Sequence, residues 1–217
     1  MEFNVIGVIP ARFASTRFPG KPLIDIGGKT MIQRVYEQAK KSELVSRVVV
    51  ATDDDRIVEA VKSFDGEVVV TASHHLNGTS RCAEVIELFP GYSVLINIQG
   101  DEPFIDPTDI DVLASAFIDN DVEIASLSKG LKSMSDHNDS NVIKLAEDVA
   151  GWSLGFSRKL ENLQSRFDGA NPNYKQHIGL YAFRTNVLST LINLDPTPSE
   201  LEESLEQLRW LDRKSVV

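Results

Sequence analysis

The sequence has only one cysteine, Cys82, and no apolar run long enough to cross a membrane. A single cysteine cannot form an intrachain disulfide, which suits a reducing compartment, and we expect Cys82 to be a small buried residue. The N-terminus lacks the basic residues and the apolar segment of a signal peptide. We therefore expect a cytoplasmic protein that does not insert into membranes.

Positive charge is also scarce, with 22 Lys and Arg residues against 32 Asp and Glu residues and a formal net charge of −10. Nucleic-acid backbones select basic surfaces, so this balance argues against a general nucleic-acid binder. It does not exclude a nucleotide site, for which a few local cations suffice. A length of 217 residues with 42% hydrophobic residues is enough for one substantial core.

Three cations nevertheless fall in one short segment, residues 10–22, which reads PARFASTRFPGKP. Arg12, Arg17 and Lys21 occur there without an acidic residue, and the prolines disfavour a helix. The segment follows residues 5–9, an apolar run typical of a buried strand. Such a loop can bind a polyphosphate through backbone N–H groups, hydroxyls and cations. A solvated surface loop explains the same pattern, and the segment alone does not decide between them.

Strand-like apolar runs alternate with segments of helical spacing along the first 130 residues. The runs are residues 5–9, 47–51, 67–70, 93–98 and 123–128. This alternation predicts an α/β fold whose mainly parallel (mixed) central sheet is flanked by helices. In such sheets, ligands bind at the carboxyl ends of the strands.

Several polar segments follow predicted strands and should therefore meet at one edge of the sheet. They are the cationic loop, Thr52-Asp53 and Gln99-Gly100-Asp101. Asp101 suits a Mg²⁺ ligand because it is a carboxylate beside a glycine at a strand end, although a turn aspartate is the structural alternative. Asp54 and Asp55 are expected to cap the next helix.

The rest of the sequence predicts a smaller antiparallel part. We expect a hairpin-like pair of strands around Gly151, a strand near residues 176–183 and two further helices, with loops elsewhere. The predicted elements are strands 141–146 and 152–157 and helices 186–194 and 200–211. Residues 132–140, His74 with His75, and Glu203 are predicted to be solvated.

Taken in order, these motifs resemble those of the 3-deoxy-manno-octulosonate cytidylyltransferases, or CMP-Kdo synthetases. The matching segments are PARFASTRFPGKP (10–22), ATD (51–53), NGTSR (77–81), NIQGDEP (97–103), FSR (156–158), HIGLY (177–181) and ESLEQLR (203–209). The resemblance implies a single Rossmann-like nucleotidyltransferase domain over residues 1–217, with a small antiparallel sugar-binding and dimerisation excursion. Residues to about 130 would bind the nucleotide, and about 131–217 would bind the sugar and form a homodimer.

The implied reaction transfers CMP from CTP to 3-deoxy-D-manno-octulosonate (Kdo), giving CMP-Kdo and pyrophosphate for lipopolysaccharide biosynthesis. The resemblance implies catalytic roles for Arg12, Arg17, Lys21 and Asp101, with Mg²⁺ as cofactor on Asp101. The nucleotide-binding residues it implies are Pro10, Ala11, Arg12, Lys21, Ala51, Thr52, Asp53, Asn77, Gly78, Thr79, Arg81 and Gln99. The sugar-binding residues it implies are Gln99, Arg158, His177, Gly179, Tyr181, Glu206 and Gln207.

The sequence departs from the family pattern in three places. Asn77 and Ser80 stand where serine and an acidic residue are usual, and residues 159–175 do not match. The usual C-terminal segment, with an aspartate expected to be a second metal ligand, has no counterpart, so that either the chain is truncated or its metal site is incomplete. CMP transfer to a related ulosonic acid such as 8-amino-Kdo therefore remains an alternative, as does a catalytically degenerate nucleotide-binding homologue. The R-x-G-S-K opening of the sialic-acid enzymes is not matched.

Overall fold

The computed structural model describes residues 3–14, 18–75, 77–132, 134–167 and 172–213. The chain divides into two compact units. The first unit consists of Met1–Asn120 and Leu180–Ile192, and the second of Asp121–Gly179 and Asn193–Val217. Leu180–Ile192 thus belongs to the first unit, although it lies in the part of the sequence predicted to bind the sugar.

The first unit is built on a mainly parallel sheet in the strand order β3-β2-β1-β4-β8. Its strands are β1 (Val5–Ala11), β2 (Val45–Thr52), β3 (Val68–Val70), β4 (Val94–Asn97) and the last residues of β8 (Asn173–Arg184). The β2–β1, β1–β4 and β2–β3 pairs are parallel, whereas β4 and β8 are antiparallel. Because strands of such a sheet are covered on both faces, β1 and β4 are almost continuously buried.

Helices alternate with these strands, as the sequence predicts. The helices of the first unit are α1 (Met31–Ala39), α2 (Asp55–Lys62), α3 (Gly78–Leu88), α4 (Pro107–Ser115) and α7 (Thr185–Leu191). Single 3₁₀ turns form at Lys21–Leu23 and Ala116–Ile118. Each of α1 to α4 follows a side chain that accepts a backbone N–H bond, namely Thr30, Asp54, Asn77 and Asp106. The predicted capping role of Asp54 is confirmed.

The second unit is antiparallel where the sequence predicts it. It contains β5 (Ile124–Gly130), β6 (Lys144–Glu147), β7 (Ser153–Ser157), α5 (Met134–Asn138), α6 (Leu160–Arg166), α8 (Pro198–Glu203) and α9 (Gln207–Asp212). Strand β6 pairs antiparallel with both β7 and the first residues of β8. The hairpin around Gly151 is therefore confirmed.

Two predictions for this unit are wrong. Residues 132–140 are not only a loop, because α5 forms there. The single helix predicted over residues 200–211 is broken at Ser204, which adopts the left-handed conformation with φ 52° and ψ 49°. That conformation ends α8 and turns the chain so that Leu205 is buried, 5% exposed, before α9 begins.

Across the described residues, no helix combines the length and apolar character that crossing a bilayer requires. Cys82 is buried and is not in a disulfide, as predicted.

Candidate functional site

The predicted site segments of the first unit lie at the carboxyl edge of its sheet. Ala11, the last residue of β1, is in register with Thr52, the last residue of β2. Asn97, the last residue of β4, pairs with Val8 of β1. The parallel register therefore places the cationic loop, the 51–53 segment and the 97–101 segment at neighbouring strand ends, as the sequence predicts.

Two glycines allow these segments to approach the end of β1 closely. A Cβ atom added at Gly100 would lie 3.1 Å from the carbonyl oxygen of Pro10, and one added at Gly78 would lie 3.1 Å from Pro10 Cγ. Both distances are shorter than ordinary contacts of a side chain. Glycine at these two positions thus brings Gln99 and the N-terminus of α3 against the cationic loop.

Lys21 and Asp101, 80 residues apart in sequence, form an ion pair in this structure. Lys21 Nζ donates to Asp101 Oδ2 at 2.5 Å, and the two side chains are 40% and 47% exposed. An exposed pair of this kind contributes about 0–1 kcal/mol to stability, so it opens at little cost. Arg12 is exposed at the start of the same loop. Arg17, with Ser15 and Thr16, lies outside the described residues.

Arg81 connects the ends of two strands from its position on α3. Its side chain is 1% exposed, its Nη1 donates to Thr71 Oγ1 at 2.5 Å, and its Nη2 lies 3.1 Å from Asp53 Oδ1. Thr71 directly follows β3 and Asp53 directly follows β2. The guanidinium therefore holds Asp53 at the carboxyl edge, where the family resemblance implies a wall of the nucleotide pocket.

Among the described residues, Asn97 Oδ1 is a buried polar atom at this edge without a hydrogen-bond partner, whereas Arg81 Nη2 is in the ion pair with Asp53. Buried polar atoms are rarely left unpaired, so Asn97 Oδ1 is a candidate to contact a ligand or an ordered water. Asn97 was not among the predicted site residues. The signal that could have identified it is a polar residue at the end of an otherwise apolar strand.

The segment before α3 is held by a histidine that we predicted to be solvated. The imidazole of His75 is only 10% exposed and its Nε2 is paired with Glu84 Oε2. Glu84 also accepts a bond from the backbone N–H of Ala72 at 3.0 Å. Burial raises the pKa of Glu84, but these hydrogen bonds outweigh it and the pKa is lowered overall. The prediction is wrong for His75 because its partner lies on the following helix.

In the second unit, His177 is a buried neutral imidazole. It is 7% exposed, its Nε2 lies 2.7 Å from Ser126 Oγ, and its ring meets that of Phe156 edge-on with centroids 5.1 Å apart. Burial lowers the pKa of His177 from 6.5 to about 4. The Ser126 hydroxyl also donates to the carbonyl oxygen of Ile178 at 3.0 Å.

Arg158 is predicted to bind the sugar carboxylate, yet its guanidinium is directed at protein carbonyls. Nε donates to Glu203 O at 2.6 Å, Nη1 to Ser140 O at 3.0 Å and Nη2 to Ser204 O at 3.4 Å. These bonds join the end of β7 to the end of α8. They favour the structural role of Arg158, and its sugar binding stays a prediction.

Glu203 is not a solvated charge, contrary to our prediction. Its carboxylate accepts from Ser157 Oγ at 2.6 Å and from the backbone N–H of Arg158 at 2.9 Å. Burial raises the pKa of Glu203, and these bonds lower it more.

Nearby, Lys144 has no exposed surface and donates through Nζ to the carbonyls of Asp139, at 2.5 Å, and Arg158, at 2.8 Å. The sequence gives no local sign of this cluster, because its members come from separate elements.

The remaining predicted sugar-site residues are placed as follows. Gln207 begins α9 and is 4% exposed. Glu206 directly precedes that helix. The space beside Gly179 is open, since a Cβ added there would have no atom within 4 Å, as predicted. Tyr181 belongs to the first unit, and its ring stacks against that of Phe183 with centroids 6.2 Å apart.

No group of three or more histidine, cysteine, aspartate or glutamate residues that could hold a metal ion occurs in the part of the chain that the structure describes. A complete protein-only metal cage is therefore absent from those residues. Asp101 by itself fits a different kind of site, since Mg²⁺ is commonly held by one or two carboxylates together with substrate phosphates and water.

Comparison with known proteins gives consistent matches over nearly the whole chain. A family described as cytidylyltransferase matches residues 6–216. The 3-deoxy-manno-octulosonate cytidylyltransferase of Parabacteroides distasonis is 46% identical over 217 residues, covering 95% of this chain and 85% of the relative. The enzyme of the same name from Geobacter sulfurreducens is 44% identical over 220 residues, covering 96% and 87%. Among solved structures, CMP:2-keto-3-deoxy-manno-octonic acid synthetase complexed with CTP matches with a TM-score of 0.89 and 37% identity, covering 98% of this chain and 87% of that one. The predicted fold class is confirmed.

Proposed function

Because the chain belongs to the 3-deoxy-manno-octulosonate cytidylyltransferase family, we propose that it transfers a cytidylyl group from CTP to the anomeric hydroxyl of Kdo. The hydroxyl oxygen forms a bond to the α-phosphorus. The bond between that phosphorus and the oxygen bridging the α- and β-phosphates breaks, and pyrophosphate leaves with the electron pair. The hydroxyl proton is released. The products are CMP-Kdo and pyrophosphate.

The observation that carries this proposal is the ion pair of Lys21 and Asp101 at the carboxyl edge of the first unit. The reaction brings a carboxylate-bearing sugar toward a triphosphate, and the two anions repel each other unless their charge is screened. Lys21 and Arg12 supply positive charge at the end of β1, and charge-assisted bonds to phosphate are among the strongest hydrogen bonds. Electrostatic stabilisation of the leaving pyrophosphate is the main contribution that a protein makes to this type of transfer.

The base and ribose are proposed to lie where α3 begins. The helix N-terminus at Gly78 and Thr79 presents backbone N–H groups, which favour anionic or acceptor atoms of a ligand. Asn97 Oδ1 offers a buried acceptor beside it. Thr52 and Asp53 are proposed to line the same part of the site. Asp53 is held there by its contact with Arg81.

Mg²⁺ is proposed as the cofactor, with Asp101 as its protein ligand in this part of the chain. When bound, the ion would neutralise phosphate charge and orient the triphosphate. In this structure Lys21 donates a hydrogen bond to the Asp101 carboxylate. Binding of the metal-nucleotide therefore requires that Lys21 exchange Asp101 for a phosphate oxygen, which the low cost of opening an exposed pair allows.

The second unit is proposed to bind the sugar acid. Gln207 supports this because it is a buried amide side chain, 4% exposed, at the start of α9, and an amide offers a sugar hydroxyl both a donor and an acceptor. Burial holds the imidazole of His177 neutral. Gly179 leaves open space on the same strand. A homodimer in the cytoplasm is part of the proposal, and light scattering of the purified protein tests the dimer.

The reaction is tested by measuring pyrophosphate release in the presence of CTP, Kdo and Mg²⁺. We expect release that depends on all three, and a fall of about 100-fold or more in Lys21→Ala and in Asp101→Asn, as is typical when a group that stabilises transition-state charge is lost. Lys29 and Glu37 form an ion pair of similar exposure elsewhere in the first unit, with side chains 44% and 38% exposed. Lys29→Ala and Glu37→Gln are therefore matched controls and should retain activity.

A second measurement separates the roles of the two residues. With EDTA present, CTP binding should be weakened by Lys21→Ala but not by Asp101→Asn, because removing the carboxylate removes a repulsion from the phosphates. Near-normal turnover in either variant would contradict the site assignment. Binding of CTP without pyrophosphate release in the unaltered protein would instead indicate a nucleotide-binding homologue that lacks catalysis.

A further inference from the structure

The two described ends of the cationic loop are joined by Phe13 and Gly20. The backbone N–H of Gly20 donates to the carbonyl oxygen of Phe13 at 2.9 Å. Gly20 has φ 73°, and a Cβ added there would lie 3.2 Å from both Cε2 and Cζ of the Phe13 ring. One edge of the ring therefore packs against the backbone of Gly20, in a position that a larger residue at 20 would disturb.

Arg56 covers the same aromatic ring. Its guanidinium carbon lies 3.2 Å from the centroid of Phe13, a cation–π contact. Arg56 also donates from Nε to Asp54 Oδ1 at 2.9 Å and from Nη2 to Asp54 Oδ2 at 2.6 Å. The Arg56 hydrogen bond lowers the pKa of Asp54, which keeps the carboxylate ionised and the guanidinium oriented. Since Asp54 is also the N-cap of α2, the stacked guanidinium is held at the first turn of that helix.

We infer that Phe13 and Arg56 are positioning residues for nucleotide binding. Phe13 directly follows Arg12, and Gly20 directly precedes Lys21. The stack therefore fixes the backbone next to both described cations of the loop and sets the direction from which they reach the triphosphate. This inference rests on the proposed function of the site, and neither Phe13 nor Arg56 needs to touch the substrate.

The first unit contains a second stack of the same composition that serves as a control. The guanidinium of Arg47 lies 3.9 Å from the ring centroid of Phe89, and its Nε donates to Glu67 Oε1 at 2.8 Å. Arg47 lies near the start of β2, whereas the candidate site lies at the other end of that strand, after Thr52. Losing this stack should affect stability without affecting the position of Arg12 and Lys21.

The test compares Phe13→Leu and Arg56→Gln with Phe89→Leu and Arg47→Gln in the full chain. An exposed cation–π contact corresponds to about a two- to fivefold change in an equilibrium constant. We expect KM for CTP to rise by about that factor in Phe13→Leu and Arg56→Gln, with KM for Kdo unchanged, and Arg56→Lys should recover part of the loss. The double variant should be no worse than the weaker-binding single variant, because both changes remove the same stack. Titration with CTP checks binding directly, and thermal unfolding checks that each variant is folded.

Three results would overturn the inference: an unchanged KM for CTP in the folded Phe13→Leu and Arg56→Gln variants, equal rises in KM for CTP and for Kdo, or the same rise in Arg47→Gln and Phe89→Leu. Failure of the proposed function is distinguishable from all three. If the unaltered chain neither binds CTP nor releases pyrophosphate, the proposed function and this inference fall together, whatever the variants do.

Discussion

Replacing His177 with glutamine should remove a pH dependence from the stability of the second unit. In the unfolded chain a histidine binds its proton near pH 6.5, whereas burial lowers the pKa of His177 to about 4. Between these pH values the unfolded state binds more protons than the folded state. The free energy of unfolding is therefore fully retained above pH 6.5, falls as the pH decreases from 6.5, and loses nothing more from this group below about pH 4.

The size of the effect follows from the two pKa values. A pKa difference of one corresponds to about 1.4 kcal/mol, so the whole interval amounts to about 3 kcal/mol. From pH 6.5 to pH 5 the expected loss is about 2 kcal/mol. The upper part of the interval is the better range for the measurement, because carboxylates such as Glu203, whose pKa is lowered, remain ionised there.

The assay is urea unfolding at several pH values, followed by tryptophan fluorescence. Both tryptophans, Trp152 and the buried Trp210, belong to the second unit and report on it. His177→Gln keeps an N–H donor for Ser126 Oγ but cannot be protonated, so its stability should change less than that of the unaltered protein between pH 6.5 and pH 5. His137→Gln, the same substitution at a partly exposed histidine of this unit, is the control. Equal slopes for the unaltered protein and His177→Gln would refute the reasoning.

Two further predictions concern buried contacts. Lys144→Met should lower the free energy of unfolding by about 1–3 kcal/mol, because the carbonyls of Asp139 and Arg158 lose their donor in a buried position. Urea unfolding measures this loss, and an unchanged midpoint would contradict the prediction. Gly78→Ala should weaken CTP binding at least about fivefold, because the added methyl overpacks against Pro10 at a cost of about 1–3 kcal/mol. Calorimetric titration with CTP measures the second effect, and unaltered affinity would show that the contact relaxes freely.

The order of elements and the edge at which they meet could be predicted from the sequence because their signals are local. Apolar runs, capping side chains such as Asp54 and glycines at turns act within a few residues, and the parallel arrangement then determines which strand ends are neighbours. The positions of Lys21 and Asp101 at one edge required no knowledge of side-chain packing. Local signals were therefore sufficient for the fold of the first unit and for the location of its candidate site.

The wrong predictions for Glu203 and His75 share a physical cause, which is a partner on another element. Glu203 looks solvated on a helical wheel, yet it accepts bonds from Ser157 and Arg158, about 45 residues earlier. His75 looks like a loop residue until Glu84 of the next helix is placed beside it. Ser204 has no sequence signature of a helix end, since glycine or asparagine is usual in the left-handed conformation. Tertiary hydrogen bonds decide the environments of Glu203 and His75, and the periodicity of the sequence does not predict these bonds.

For the same reason, the cations of the loop could be predicted from the sequence, but the ion pairing of Lys21 could not. A loop with Arg12, Arg17 and Lys21 and no acidic residue indicates uncompensated positive charge, yet Lys21 is compensated by Asp101 from a segment 80 residues away. The pair is half exposed and therefore weak, so it holds the ammonium and the carboxylate near each other without competing strongly with a polyphosphate. A stronger, buried pair would have served stability at the expense of ligand binding, because its charges could not be separated at low cost. The exposure of Lys21 and Asp101 is thus the property that makes a structural ion pair compatible with a nucleotide site.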